Sequence, residues 1–112
     1  MTSFKQKDVV LADILFADGS SSRKRPALIV SNEKYHSSRK EILVSAITSN
    51  TERVLFGDTL IEEWKNAGLK YPSTALAVLQ TIQERMINQK LGELSEKDFK
   101  QILSNLGKVV SF

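Results

Sequence analysis

With 112 residues, of which 41% are hydrophobic and 26% charged, the chain has the size and balance of a single globular domain spanning 1–112, and it is far too short for a full (β/α)8 barrel of ~250 residues. It contains no cysteine, which excludes disulfides, thiolate-bound metals, iron–sulfur clusters and a thiol nucleophile. Its one histidine, His36, leaves little room for a transition-metal site or a two-histidine acid–base mechanism. The net charge of +3 is carried by residues 1–56, while the second half is neutral, a bias that suits a phosphate-bearing partner.

No apolar run approaches the ~20 residues of a membrane span. The opening MTSFKQKDVVLADILF has its apolar stretch broken by Asp13 and does not read as a signal peptide, so a soluble, cytoplasmic setting without membrane contact is expected. Residues 8–16 are rich in β-branched and apolar types and predict a first strand. Residues 17–24 are a polar loop punctuated by Gly19. A second strand over 26–31 opens on Pro26, which lacks an N–H and suits a strand's first position. Residues 32–40, with Tyr35 and His36, read as a polar loop carrying a surface histidine. A third strand covers 41–48 and runs out into Thr48-Ser49-Asn50-Thr51.

Arg53–Phe56 suggests a short fourth strand, and 58–61 a further stretch of sheet pairing. A short helix over 62–67 follows, with Trp64 as a core or interface anchor, Glu62 and Glu63 on its solvated face and Gly68 at a left-handed C-cap. Tyr71-Pro72-Ser73 punctuates the chain before a strand over 73–82 that is apolar on both faces, and 87–92 predicts a last strand. The clearest helix closes the sequence. Ser95 is its cap, Asp98 stands in the place of a capping-box acid, and Leu94, Phe99, Ile102, Leu103, Leu106 and Val109/Val110 fall on one face. This pattern predicts a mostly β fold, a small barrel or strongly bent sheet covered by a C-terminal helix.

None of the glycine-loop, zinc-hydrolase or serine-nucleophile motifs is present, so chemistry would rest on arginine, hydroxyls, amides and the backbone. Ser20, Ser21 and Ser22 allow a phosphate to approach closely and can donate to it. Arg23, Lys24 and Arg25 follow at the mouth of a strand, and an arginine fork matches phosphate oxygens at any working pH. Thr48, Ser49 and Asn50 end another strand with hydroxyl and amide groups. Each stretch taken alone reads first as a solvated turn. If the two strands are neighbours, Arg25 and Thr48 reach one phosphate. No metal ligand set and no cofactor motif is visible.

The run KQKDVVLADILFADGSSSRKRPALIVSN resembles the N-terminal half of the MazF/PemK toxin family, which characteristically carries Arg-Pro-Ala-Leu-(Ile/Val)-(Val/Leu)-Ser-Asn after a small-residue loop. VSAITSN, then LIEEWKNAGLKYPS, then LGELS continue the resemblance, which runs from Asp8 to Val110. It implies a small SH3-like barrel of the CcdB/Kid/MazF type with a short helical insertion and a C-terminal helix, usually a homodimer. It implies the toxin of a type II toxin–antitoxin module that inhibits growth: a metal-independent endoribonuclease that cuts single-stranded RNA at short sequences, leaving a 2′,3′-cyclic phosphate and a 5′-OH. Further implied are a cognate acidic antitoxin whose disordered tail covers the RNA groove, and DNA binding by the complex. The family's catalytic Arg and Thr/Ser fall on Arg25 and Thr48, with Ser20, Ser21, Ser22, Arg23, Lys24, Ser49 and Asn50 as RNA contacts; the general base is unassigned. Two departures stand out. Lys7 replaces the usual Gly before Asp8, and the strand around Ala77 lacks the polar pair through which some relatives act. The competing readings are a barrel relative that acts by binding protein, in the manner of gyrase poisons, and a non-catalytic RNA-binding module.

Overall fold

A computed structural model describes residues 3–15 and 22–112. Six strands and two helices follow one another: β1 (Asp8–Leu15), β2 (Ser22–Ile29), α1 (Glu33–Arg39), β3 (Ile42–Thr48), β4 (Thr59–Ile61), β5 (Ser73–Ile82), β6 (Ile87–Glu93) and α2 (Glu96–Val109), with a short 3-10 turn at Glu84–Met86. The strands form one antiparallel sheet in the order β4-β5-β3-β2-β1-β6.

Strand alternation splits the apolar residues between two cores. Val9 and Leu28 point to one, where Phe99 and Ile102 of α2 and Ala67 and Leu69 of the 62–71 segment cover the sheet. Burying each large side chain there contributes roughly 1.5–3 kcal/mol. Val10, Ala12, Ile14, Ala27, Ile29, Val44, Ile82 and Ile87 point to the other. These come from five strands, so the sheet itself curls around this second core. The closure is visible where the Gln80 amide of β5 spans to β1, accepting from the Leu15 N–H (3.1 Å) and donating to the Leu15 carbonyl (2.6 Å) across a gap that two other strands occupy in the sheet order. This is the expected mostly β barrel with a C-terminal helix.

The N-terminal entry explains the unusual Lys7. Its φ is +80°, a conformation that costs a side-chain-bearing residue about 1–2 kcal/mol and glycine nothing. The position is fixed because Lys7 N–H donates to Ile29 and Leu94 N–H donates to the Lys7 carbonyl. Beside it, buried Asp8 accepts from the Lys5 N–H at 3.0 Å and faces the Lys90 ammonium at 3.2 Å. In return for the strained backbone, the Lys7 ammonium pairs with Glu96 at the start of α2. That hydrogen bond raises the lysine pKa and lowers that of the glutamate. Both groups are solvated, and exposed pairs contribute little. Lys7→Gly is therefore expected to be more stable than Lys7→Ala by about 1 kcal/mol, because both lose the ion pair and only glycine relieves the strain. Equal midpoints in urea unfolding would contradict this.

Several elements differ from the sequence expectation. Residues 32–40 are not a loop: Asn32 Oδ1 accepts from the Tyr35 N–H and caps α1, which turns His36 inward. His36 is 6% exposed, with Nε2 2.6 Å from Ser31 Oγ, and is not a surface histidine. Arg53–Phe56 forms no strand, because the Asp58 carboxylate accepts from Leu55 N–H and Ala77 N–H and folds the segment into a turn. Residues 62–68 are a run of turns rather than the expected short helix. Their bonds mix three ring sizes (Gly68 to Lys65, Ala67 to Glu63, Leu69 to Trp64), although Gly68 does adopt φ +82°. β5 has the expected ends, but only Ser73, Thr74, Ala75 and Ile82 are buried, and Leu79 is exposed. On α2 the Ser95 cap and the buried Phe99 and Ile102 stand as expected, whereas Leu103, Val109 and Val110 lie exposed.

Candidate functional site

Pro26 is not the first residue of its strand but the fifth, and this displacement builds the site. The β2–β3 ladder pairs Ile29 with Val44, Leu28 with Ser45 and Ala27 with Ala46, and stops there. Val30 N–H donates to the Leu43 carbonyl, so even-numbered positions of β2 aim their backbone at β3. The next such position after Leu28 is Pro26, opposite Ile47, and proline has no N–H to give. The ladder ends, yet both strands continue on their outer partners: Arg25 lies opposite Ala12 of β1, and Thr48 opposite Thr74 of β5. The result is a fork. Arg25 and Thr48 each lie two residues beyond the last β2–β3 pair, Ala27 and Ala46, one on either arm of the fork.

Arg25 and Thr48 line one cleft of about 510 Å³ at this fork. Arg23, Lys24 and Pro26 form its β2 wall, and Ile47 and Ser49 continue its β3 wall. Gly68, Leu69, Lys70, Tyr71 and Ser73 form the far side, with Leu11, Gln89 and Leu91 as its floor. Among the described residues, four cations and no carboxylate line it, which gives this cleft a positive lining. Arg25 and Thr48 are each half-buried. Partial burial excludes some water and strengthens their interaction with an anion. The Thr48 hydroxyl oxygen accepts from the Asn50 N–H at 3.2 Å, which orients the hydroxyl and leaves its proton as the donating function.

The far wall is held by backbone contact and by one buried carboxylate. A Cβ on Gly68 would lie 2.1 Å from the Leu91 carbonyl oxygen, and one on Gly92 2.4 Å from that of Ala67, so two glycines let this wall lie directly against β6. Asp98, 2% exposed on α2, accepts from the Glu62 and Glu63 N–H groups at 3.1 and 2.9 Å.

Of the residues singled out in the sequence, the cleft gathers Arg23, Lys24, Arg25, Thr48 and Ser49. Asn50 lies one residue outside it, and its Oδ1 instead accepts from the Glu52 N–H. Ser22 opens β2, and Ser20 and Ser21 lie outside the described residues. His36 is remote: Ser31, its partner, is six residues from Arg25, roughly 20 Å along an extended chain. Sequence reading did not find Lys70, Tyr71 and Gln89. The only signal for the first two is the GLKYPS run, where Tyr71-Pro72 reads as punctuation. Among the described residues, no cluster of three or more His, Asp or Glu side chains is arranged to hold a metal ion, and no helix is long and apolar enough to cross a membrane.

Comparison with solved structures places the fold. MazF from Deinococcus radiodurans superposes with a TM-score of 0.78 at 17% identity over 100% of both chains. The Mycobacterium tuberculosis toxin MazF-mt6 gives 0.72 at 22% identity, covering 90% of this chain and 93% of that one. An endoribonuclease from a mycobacterial species, solved in complex with its cognate antitoxin, gives 0.72 at 16% identity over 98% and 99%. No functionally curated protein matches the sequence significantly. The model of the PemK-like, MazF-like toxins of type II toxin–antitoxin systems matches residues 5–110. Nearly the whole chain is thus accounted for, and the protein belongs to that toxin family.

Proposed function

We propose that this chain is an endoribonuclease toxin that cuts single-stranded RNA at the β2–β3 fork. The observation that supports the reading is that Arg25 and Thr48 line one cleft, which among the described residues carries four cations and no carboxylate. The 2′-hydroxyl of a ribonucleotide gives up its proton and bonds to the adjacent phosphorus, the P–O5′ bond breaks, and the departing 5′-oxygen takes up a proton, giving a 2′,3′-cyclic phosphate and a 5′-OH. Negative charge builds on the phosphorane oxygens. A guanidinium and a hydroxyl already aimed at them stabilise that state more than the ground state. Arg25 takes the phosphorane charge; Thr48 donates to and orients the scissile phosphate. Arg23, Lys24, Lys70 and Ser49 hold the flanking backbone. RNA without secondary structure fits an open trough, because its phosphates and splayed bases are both accessible.

The same trough suits an acidic antitoxin tail that orders on binding; the mycobacterial endoribonuclease is solved in complex with its cognate antitoxin. A homodimer is supported by an apolar surface: Val54, Leu55 and Phe56 lie exposed next to Gly57, whose Cβ would meet Val109 at 2.5 Å, and Val110 is 72% exposed.

The test is incubation of purified protein with a mixed RNA in excess EDTA, followed by end analysis. Discrete fragments bearing 5′-OH and 2′,3′-cyclic phosphate ends are expected. Intact RNA, or cleavage that requires added metal, contradicts the reading.

A further inference from the structure

Next to the fork lies a second recess, of about 340 Å³, lined by Ser49, Thr51, Tyr71 and Pro72. Tyr71 and Ser49 also line the main cleft, so the tyrosine stands between the two spaces, on the side to which the chain leads from Thr48. Tyr71 is 65% exposed, yet it is not a loose surface aromatic. Its neighbours Leu69 and Ser73 are 8% and 5% exposed, and the Ser73 hydroxyl donates to the Tyr71 carbonyl at 2.7 Å. Pro72 restricts the tyrosine backbone to extended conformations. The fold therefore pins an aromatic ring at the surface, where it makes no contribution to either core.

We propose that this recess is a nucleobase subsite and that Tyr71 is the specificity-determining residue within it. The proposal rests on the RNA-cleaving reading of the main cleft. Every requirement of a base is met by a different lining residue. The tyrosine ring offers a π-face for stacking, Pro72 an apolar edge, and Ser49 and Thr51 hydroxyls that donate or accept. Among the described residues no charged side chain lines the recess, which suits a neutral base and not a phosphate. A nucleotide whose phosphate sits between Arg25 and Thr48 has its base within reach of this recess, because Ser49 follows Thr48 directly. Hydroxyls accept several edge patterns, so discrimination comes mainly from stacking, and the larger purine face is favoured over a pyrimidine at this one position.

The experiment uses oligonucleotides with a single ribonucleotide at the cleavage point and a purine, a pyrimidine or an abasic residue at each flanking position. kcat/KM is measured for the wild type, Tyr71→Phe, Tyr71→Leu and Tyr71→Ala. The wild type and Tyr71→Phe should prefer a purine over an abasic residue at one flank by roughly 5- to 150-fold. Tyr71→Leu and Tyr71→Ala should lose that preference through KM, with kcat and the preferences at other positions unchanged. A fold defect would instead lower kcat on all substrates alike. A Tyr71→Ala or Tyr71→Leu enzyme that keeps the full preference at every position overturns the subsite while leaving the nuclease reading intact. A wild type that neither cleaves nor binds any of the oligonucleotides overturns both.

Discussion

Arg25→Ala should lower RNA cleavage by about a hundred- to thousandfold, the loss typical of removing one preorganised donor to a developing oxyanion. The loss should fall on kcat, since Arg23, Lys24 and Lys70 remain in the same cleft to bind a phosphate backbone. Arg25→Lys should recover only a small part. An ammonium keeps the charge but lacks the planar fork that meets two phosphoryl oxygens together. The barrel should survive either change, because Arg25 is half-buried at the fork and belongs to neither apolar core. Rates on a defined single-stranded RNA, with thermal unfolding as the control, check this. Cleavage by Arg25→Ala at the parental rate would remove Arg25 from the chemistry.

The largest expected effect on stability lies away from the phosphate. Asp98 is almost wholly buried, and its two carboxylate oxygens each accept a backbone N–H from the turn that leads to the far wall. Hydrogen bonds to a charged acceptor contribute roughly 1.5–3 kcal/mol each, and part of that is regained when water reaches the freed donors. Asp98→Ala should therefore destabilise the protein by about 2–4 kcal/mol in urea unfolding. Asp98→Asn should cost about half as much, since its amide retains one accepting oxygen and loses the other. The Ser95 cap donates no part of this difference, because its bond is to the Asp98 main chain and persists in both variants. Loosening residues 62–71 also displaces Lys70 and Tyr71, so the folded fraction of Asp98→Ala should show a raised KM. A loss below 0.5 kcal/mol for the alanine variant would contradict the assignment.

Much of the fold was legible because it is written in local pattern. β1, β3 and β5 are runs of β-branched and apolar residues between polar breaks, Ser95 is a side-chain cap, and Gly68 marks a left-handed turn. α1 was hidden because a seven-residue helix carrying one buried side chain, His36, shows almost no apolar period. The run 53–56 has strand composition, but Asp58 and Ala77 decide its backbone bonds from outside the window. Asp98 was recognised as an acid in the first turn of a helix, while its partners lie 35 and 36 residues away.

The site divides in the same way. The basic cluster at a strand mouth and the hydroxyl run at a strand end are visible in the sequence, but by residue type each reads as a solvated turn, and it is the family resemblance that marks Arg25 and Thr48. Their meeting depends on register, which Pro26 sets by withholding one N–H. Lys70, Tyr71 and Gln89 come from segments that only the curled sheet brings to the fork.

A double-mutant cycle on the rate of RNA cleavage tests most directly whether the two strands act on a single phosphorus centre. Thr48→Val removes the hydroxyl at nearly constant volume and should slow cleavage by itself. Combined with Arg25→Ala it should add little, because two groups serving one transition state lose their effect together. Rate losses that simply multiply in the double variant would show that Arg25 and Thr48 work independently, and would contradict the shared site.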